Sequence, residues 1–206
     1  MPSKIVTALY DSYESAQNAV RDLKRANVLD ADISLIANQN GVAEPVSDAS
    51  DNAVTGAEAG ASVGGILGAG AGLLAGLGIM AIPGVGPVVA AGWLVATAVG
   101  AVAGVGMGGV GGGIIGALTT AGVSEEHANI YAEGVRRGGT LVSARVDAAR
   151  VPEIEEIMHR FGRVDPVTRE RDYRGNGWTS FEDTGLPYGP ADAERERARQ
   201  IARPAA

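Results

Sequence analysis

Apolar and polar positions alternate at first, then fall into helical spacing, then give way to a long run with no charge at all. Lys4 to Tyr10 (KIVTALY) carries β-branched and aromatic residues in a short run, which predicts a strand. Asp11 offers an N-cap, with Glu14 three positions on as in a capping box. Ala16, Val20, Leu23 and Asn27 then share one helical face. Ile33 to Ala37 (ISLIA) predicts a second strand, so residues 1–40 form a βαβ first half of an α+β base. Residues 41–55 are polar, contain Pro45, and read as a linker.

From Ala59 to Ser124 there is no charged side chain. Within residues 56–122 glycine recurs at every fourth position in two rows. The first is Gly56, Gly60, Gly64, Gly68, Gly72 and Gly76; the second is Gly100, Gly104, Gly108, Gly112 and Gly116. Fourfold spacing lays residues along one face of a helix, with Val63, Ile66, Leu67 and Leu74 behind the first row and Val95, Val99, Val102 and Ile114 behind the second. Pro83, Gly84, Gly86 and Pro87 form a helix-breaking turn signal between them. The pattern predicts a hairpin of two apolar helices with Gly60, Gly64, Gly68, Gly72, Gly76, Gly100, Gly104, Gly108, Gly112 and Gly116 as the packing seam. Each glycine costs about 1 kcal/mol against alanine in a helix interior. Two full rows therefore cost on the order of 10 kcal/mol, as much as a whole domain's net stability. Close backbone approach is the compensating gain. At about 1.5 Å per residue the helices would reach roughly 40 and 50 Å, long enough to cross a hydrocarbon core of about 30 Å. Helices apolar all round are buried in lipid or in protein, and both settings stay open. The acidic flanks (Asp48, Asp51, Glu58, Glu125, Glu126) lack the usual Lys/Arg orientation signal.

Residues 123–167 return to amphipathic spacing. Ser124 caps a helix whose first turn holds Glu125 and Glu126; Ala128, Tyr131 and Val135 share its face, and Gly138-Gly139 stops it. Thr140 to Val146 (TLVSARV) predicts a strand, and Pro152 opens a helix that buries Ile154, Ile157, Met158 and Phe161. Arg163 to Val167 adds a short fourth strand. The expected fold is α+β: a split ferredoxin-like βαβ…αβαβ base with an inserted glycine-zipper helical hairpin. Residues 168–206 form a polar tail, disordered or docked on a partner, with Tyr173, Trp178, Phe181 and Tyr188 as candidate anchors and a short charged helix after Pro190.

Composition narrows the chemistry. The net charge of -7 disfavours nucleic acid as a partner. Absence of cysteine removes thiolate catalysis, disulfides and cysteine-held metals. The start of the chain lacks a signal-peptide core, so a cytoplasmic location, membrane-associated through the hairpin, is expected. Gly106 to Gly111 matches GxGxxG, but it lies inside an apolar run rather than after a strand, so no dinucleotide or other cofactor is expected. His127 and His159 stand alone on predicted helices, which gives no metal site and no acid–base pair. Arg136 and Arg137 suit the C-terminal end of their helix and could also touch phosphate head groups.

The order of VTALYDSYESAQNAVRDL, AIPGVGPVVAAG and AGVSEEHANIYAEGVRRGGTLVSARV resembles the general stress, heat-induced YflT-like family of bacterial proteins, over roughly Lys4 to Asp165. The resemblance implies a stress-associated protein with no enzymatic role and supplies no catalytic residues. Together these readings predict a non-enzymatic structural protein that self-associates through the hairpin and contacts or inserts into membrane. No small-molecule ligand is identifiable. The alternative is a soluble oligomeric ligand-binding regulator that uses the hairpin as a dimerisation arm.

Overall fold

A computed structural model describes residues 3–38, 78–82, 84–97, 113–182, 185 and 188–201. Strand β1 (Ser3–Tyr10) leads through helix α1 (Tyr13–Arg25) to β2 (Ile33–Asn38). A hairpin, β3 (Gly78–Ile82) and β4 (Gly86–Ala91), follows. Then come α2 (Ile114–Thr120), α3 (Glu125–Arg136), β5 (Thr140–Asp147) and α4 (Val151–His159), and last α5 (Pro166–Gly175) and α6 (Pro190–Ile201). The strands form one antiparallel sheet in the order β1-β5-β2-β4-β3. Strand β5 thus lies between β1 and β2, with Tyr10 opposite Thr140 on one side and Ala37 opposite Thr140 on the other.

Both faces of the sheet are covered, which is why the strands are apolar on both sides. On the first face Tyr10, Leu35, Val89 and Val142 meet Val20 and Leu23 of α1 and Ile154, Ile157 and Met158 of α4. The buried Tyr10 hydroxyl donates to the Met158 carbonyl at 2.9 Å. On the second face Leu9, Ile36, Val88 and Leu141 meet Leu118 of α2 and Tyr131 and Val135 of α3. Gly134 lets α3 lie directly on β1, because a Cβ there would fall on the Leu9 side chain.

Several expectations are corrected. Residues 78–82 and 86–91 are strands, so no helix runs through them, and the Pro-Gly signal turns a β-hairpin instead. Val85 N–H donates to Ile82 O at 3.0 Å, and Gly84 and Gly86 adopt φ of 73° and 92°. Val88 and Val89 are β-branched and Pro87 lacks an N–H, which favours a strand start over a helix interior. A second break comes at Gly113, whose φ of 87° starts α2 afresh, so the second helix does not reach unbroken to Thr119. The N-cap of α1 is Ser12, not Asp11: Ser15 N–H donates to Ser12 Oγ at 3.1 Å. Residues 163–165 form no fourth strand. Val164 gives one hydrogen bond to Leu9 O, 2.8 Å, on the outer edge of β1, and Asp165 then caps α5 with Pro166 at its first position. The chain after residue 168 is not a disordered tail where it is described: α5 and α6 pack back on the base.

Among the described residues no helix is long and apolar enough to cross a membrane.

Candidate functional site

Four helices end in the same motif, and one of these ends builds the site. At the end of α5, Gly177 takes φ 84°, its N–H donates to Arg174 O, and Trp178 N–H donates to Tyr173 O at 3.0 Å. This is the Schellman arrangement, which brings the residue after the glycine against the one five positions back. Trp178 therefore lies edge-on to Tyr173, with ring centroids 5.6 Å apart. Helix α3 stops in the same way at Gly138 (φ 101°), with Gly139 N–H on Gly134 O at 2.9 Å. Helix α6 sits on that turn, where a Cβ on Gly138 would come 2.9 Å from the Ala193 Cβ.

Between these ends lies a buried charge cluster. The Glu133 side chain is fully enclosed, and its Oε1 accepts from Arg136 Nη2 at 2.7 Å and Arg137 Nε at 2.5 Å. A helix places residues three and four apart side by side, so one carboxylate meets both guanidinium groups. The Arg137 guanidinium stacks 4.2 Å over the Tyr173 ring and lies 5.5 Å from the Tyr188 ring. Burial works against the charge of Arg137, but the Glu133 carboxylate and its hydrogen bond hold the pKa above the ordinary arginine value. Glu196 of α6 approaches Arg137 Nη1 at 3.6 Å.

Asp11 supplies the second clamp. It receives a bidentate pair from Arg169 Nη1 and Nη2, both 2.8 Å. Burial opposes the Arg169 charge, and the Asp11 hydrogen bond outweighs it, so its pKa is raised. Tyr173, enclosed between Arg137 and Arg169, is pushed from 10.0 to about 12 by burial, against the Arg169 charge. Asn38, buried at the end of β2, donates to Arg136 O at 3.3 Å and ties this corner to the sheet.

Beside the cluster opens a cleft of about 250 Å³ lined by Arg136, Arg137, Gly177, Trp178, Thr179 and Ser180, with Asn176 and Glu182 at its margin. A second niche, between α3 and α6, holds about 10 Å³, enough for one water and no ligand.

In comparisons with protein-family models, with curated proteins and with solved structures, nothing matches this chain.

The sequence-predicted residues divide three ways. Gly60, Gly64, Gly68, Gly72, Gly76, Gly100, Gly104, Gly108, Gly112 and Pro83 lie outside the described residues. Gly116 lies half-buried in α2, while Gly84, Gly86 and Pro87 shape the β-hairpin. Of the aromatics, Tyr173 is buried, Trp178 is on its edge, Phe181 packs on the second core and Tyr188 reaches Arg136 at 5.7 Å. They meet the chain's own α3. Among the described residues no group of His, Asp and Glu could hold a metal ion. Sequence reasoning missed Glu133, Asp11 and Arg169. The spacing of Glu133 to Arg136 and Arg137 was the available signal for the first; the pairing of Asp11 with Arg169 leaves none.

Proposed function

We propose that this is a non-enzymatic, stress-associated structural protein whose α+β base presents glycine-rich segments for self-association and membrane contact. One observation carries the reading: the stretch from 59 to 124 has no charged side chain, and its glycines keep a fourfold register. The base supports it by gripping that stretch at several points. Strand β3 begins at Gly78, Leu94 is buried in the second core, and α2 begins at Ile114 in the same core. In this reading the base is a split ferredoxin-like unit, extended by the β3–β4 hairpin, with β5 between β1 and β2 as its core. The glycine rows then belong to two separate segments, 56–77 and 98–112, joined through the sheet rather than by a helical turn. Gly64, Gly68 and Gly72 would form a seam with Gly104, Gly108 and Gly112, within one chain or between copies. The resemblance to the general stress family accords with a role that needs no catalytic residue.

Replacing Gly68 and Gly108 together by leucine tests the seam. Sedimentation should show a smaller assembly, and carbonate-washed membranes should hold less of the variant. Unchanged assembly size, stability and membrane recovery would rule the seam out.

A further inference from the structure

We propose that the cleft beside the Glu133 cluster is a binding site for a small oxyanion of the phosphate class. Its walls are rich in donors. Arg136 Nε and Trp178 Nε1 are both buried and have no hydrogen-bond partner. A buried donor left unpaired is costly, and two on the walls of one polar cleft call for an acceptor between them. The hydroxyls of Thr179 and Ser180 stand exposed in the same lining. Two guanidinium groups, an indole N–H and two hydroxyls outnumber what a two-oxygen carboxylate can use, and they suit a ligand with three or four oxygens.

Charge and size agree with this chemistry. Arg136 and Arg137 share a single Glu133 oxygen, so the trio keeps a net positive charge next to the cleft. The carbonyl end of α3, which would repel an anion, is already met by Gly138 N–H, Gly139 N–H and the Asn38 amide. Glycine at 177 and 185 keeps backbone close: a Cβ on Gly185 would come 2.5 Å from Arg136 Nη1. A volume of about 250 Å³ is smaller than the pockets of roughly 300–1,000 Å³ that enclose drug-sized ligands, which selects a small group. Glu182 is the one carboxylate in the lining; it is exposed and opposes the ligand.

The same phosphate oxygens are found in free phosphate and in a lipid phosphomonoester headgroup, and the test separates them. The full-length protein is titrated with inorganic phosphate at constant ionic strength, following the Trp178 indole N–H resonance, with chloride as control. In parallel it is mixed with phosphatidylcholine vesicles containing or lacking phosphatidic acid. The site predicts a saturable, phosphate-specific shift. Trp178→Phe keeps the ring contact with Tyr173 and removes the donor, and should weaken phosphate about tenfold, followed by calorimetry. Glu182→Gln should tighten binding. Loss of phosphatidic-acid binding in Trp178→Phe assigns the site to headgroups; loss of free phosphate binding with vesicle binding unchanged assigns it to a soluble ligand. No saturable shift in the wild type, or equal phosphate affinity in the wild type and both variants, overturns the proposal.

Discussion

Glu133→Ala would strip two nearly buried guanidinium groups of their shared counter-charge. The carboxylate is fully enclosed, and the Arg136 and Arg137 side chains are only 15% and 10% exposed. Water cannot replace the lost partner, and the next carboxylate, Glu196, stands 3.6 Å away from one arginine only. Breaking a buried pair from one side costs about 3–5 kcal/mol. Out of a typical stability of roughly 5–15 kcal/mol that is a large share. For a chain of this size it lowers the melting temperature by roughly 6–20 °C. Glu133→Gln keeps an acceptor while losing the charge, and should fall between wild type and alanine. Urea unfolding followed by circular dichroism gives the free energies, and limited trypsin digestion shows whether residues beyond 165 loosen before the sheet. A double-mutant cycle with Arg137→Ala should recover a large coupling, since removing both partners leaves less charge stranded. A loss below about 1 kcal/mol in Glu133→Ala, the range of exposed surface pairs, would refute the reasoning.

Two further outcomes follow from the same geometry. Gly92→Ala should cost roughly 3 kcal/mol or more by urea titration. Its φ is +95°, and a Cβ there would fall on Ile33 O and lie 2.7 Å from Ser34 Cα where β4 leaves the sheet. Tyr173 has its folded pKa raised to about 12 from 10.0, so the neutral phenol is the form the fold holds. Its contribution is complete below pH 10 and is lost as pH climbs toward 12. Alkaline titration of tyrosinate absorbance, with trypsin cleavage after α5 as a second readout, should show a late step that Tyr173→Phe removes.

Most of the base was legible because local and long-range signals agree there. Ser124 caps α3, Gly138 and Gly139 stop it, and Ile154, Ile157 and Met158 are buried where their spacing put them. The β3–β4 hairpin was not, for a physical reason: a short apolar run beside a Pro-Gly turn fits a buried strand as well as a helix, and periodicity cannot separate them. The fourfold glycines tipped the choice toward helix, although Val88 and Val89 argued for strand. Asp11 and Ser12 are adjacent cap formers, and what decides between them is Arg169, far away in sequence. The region after 168 looked unfoldable by composition, since its charges outnumber its apolar residues. Its order comes instead from a few buried contacts, Tyr173 and Ala193 among them. For the candidate cleft, Arg136 and Arg137 were visible as helix-end charges, while the Trp178 wall required knowing that Gly177 turns the chain back.

The place of β5 in the sheet has a consequence for how the protein is made. It is the only strand hydrogen-bonded to both β1 and β2, and its partner residues lie as far apart as Tyr10 and Thr140. During synthesis the sheet cannot close until residue 147 has emerged. By then the whole charge-free stretch has already left the ribosome, ahead of the strand that completes its support. Such late, non-local closure slows folding and exposes apolar surface meanwhile. The nascent chain is therefore at its greatest hazard of misassembly just before β5 arrives, and a chaperone holding the stretch from 59 to 124 would act in that window.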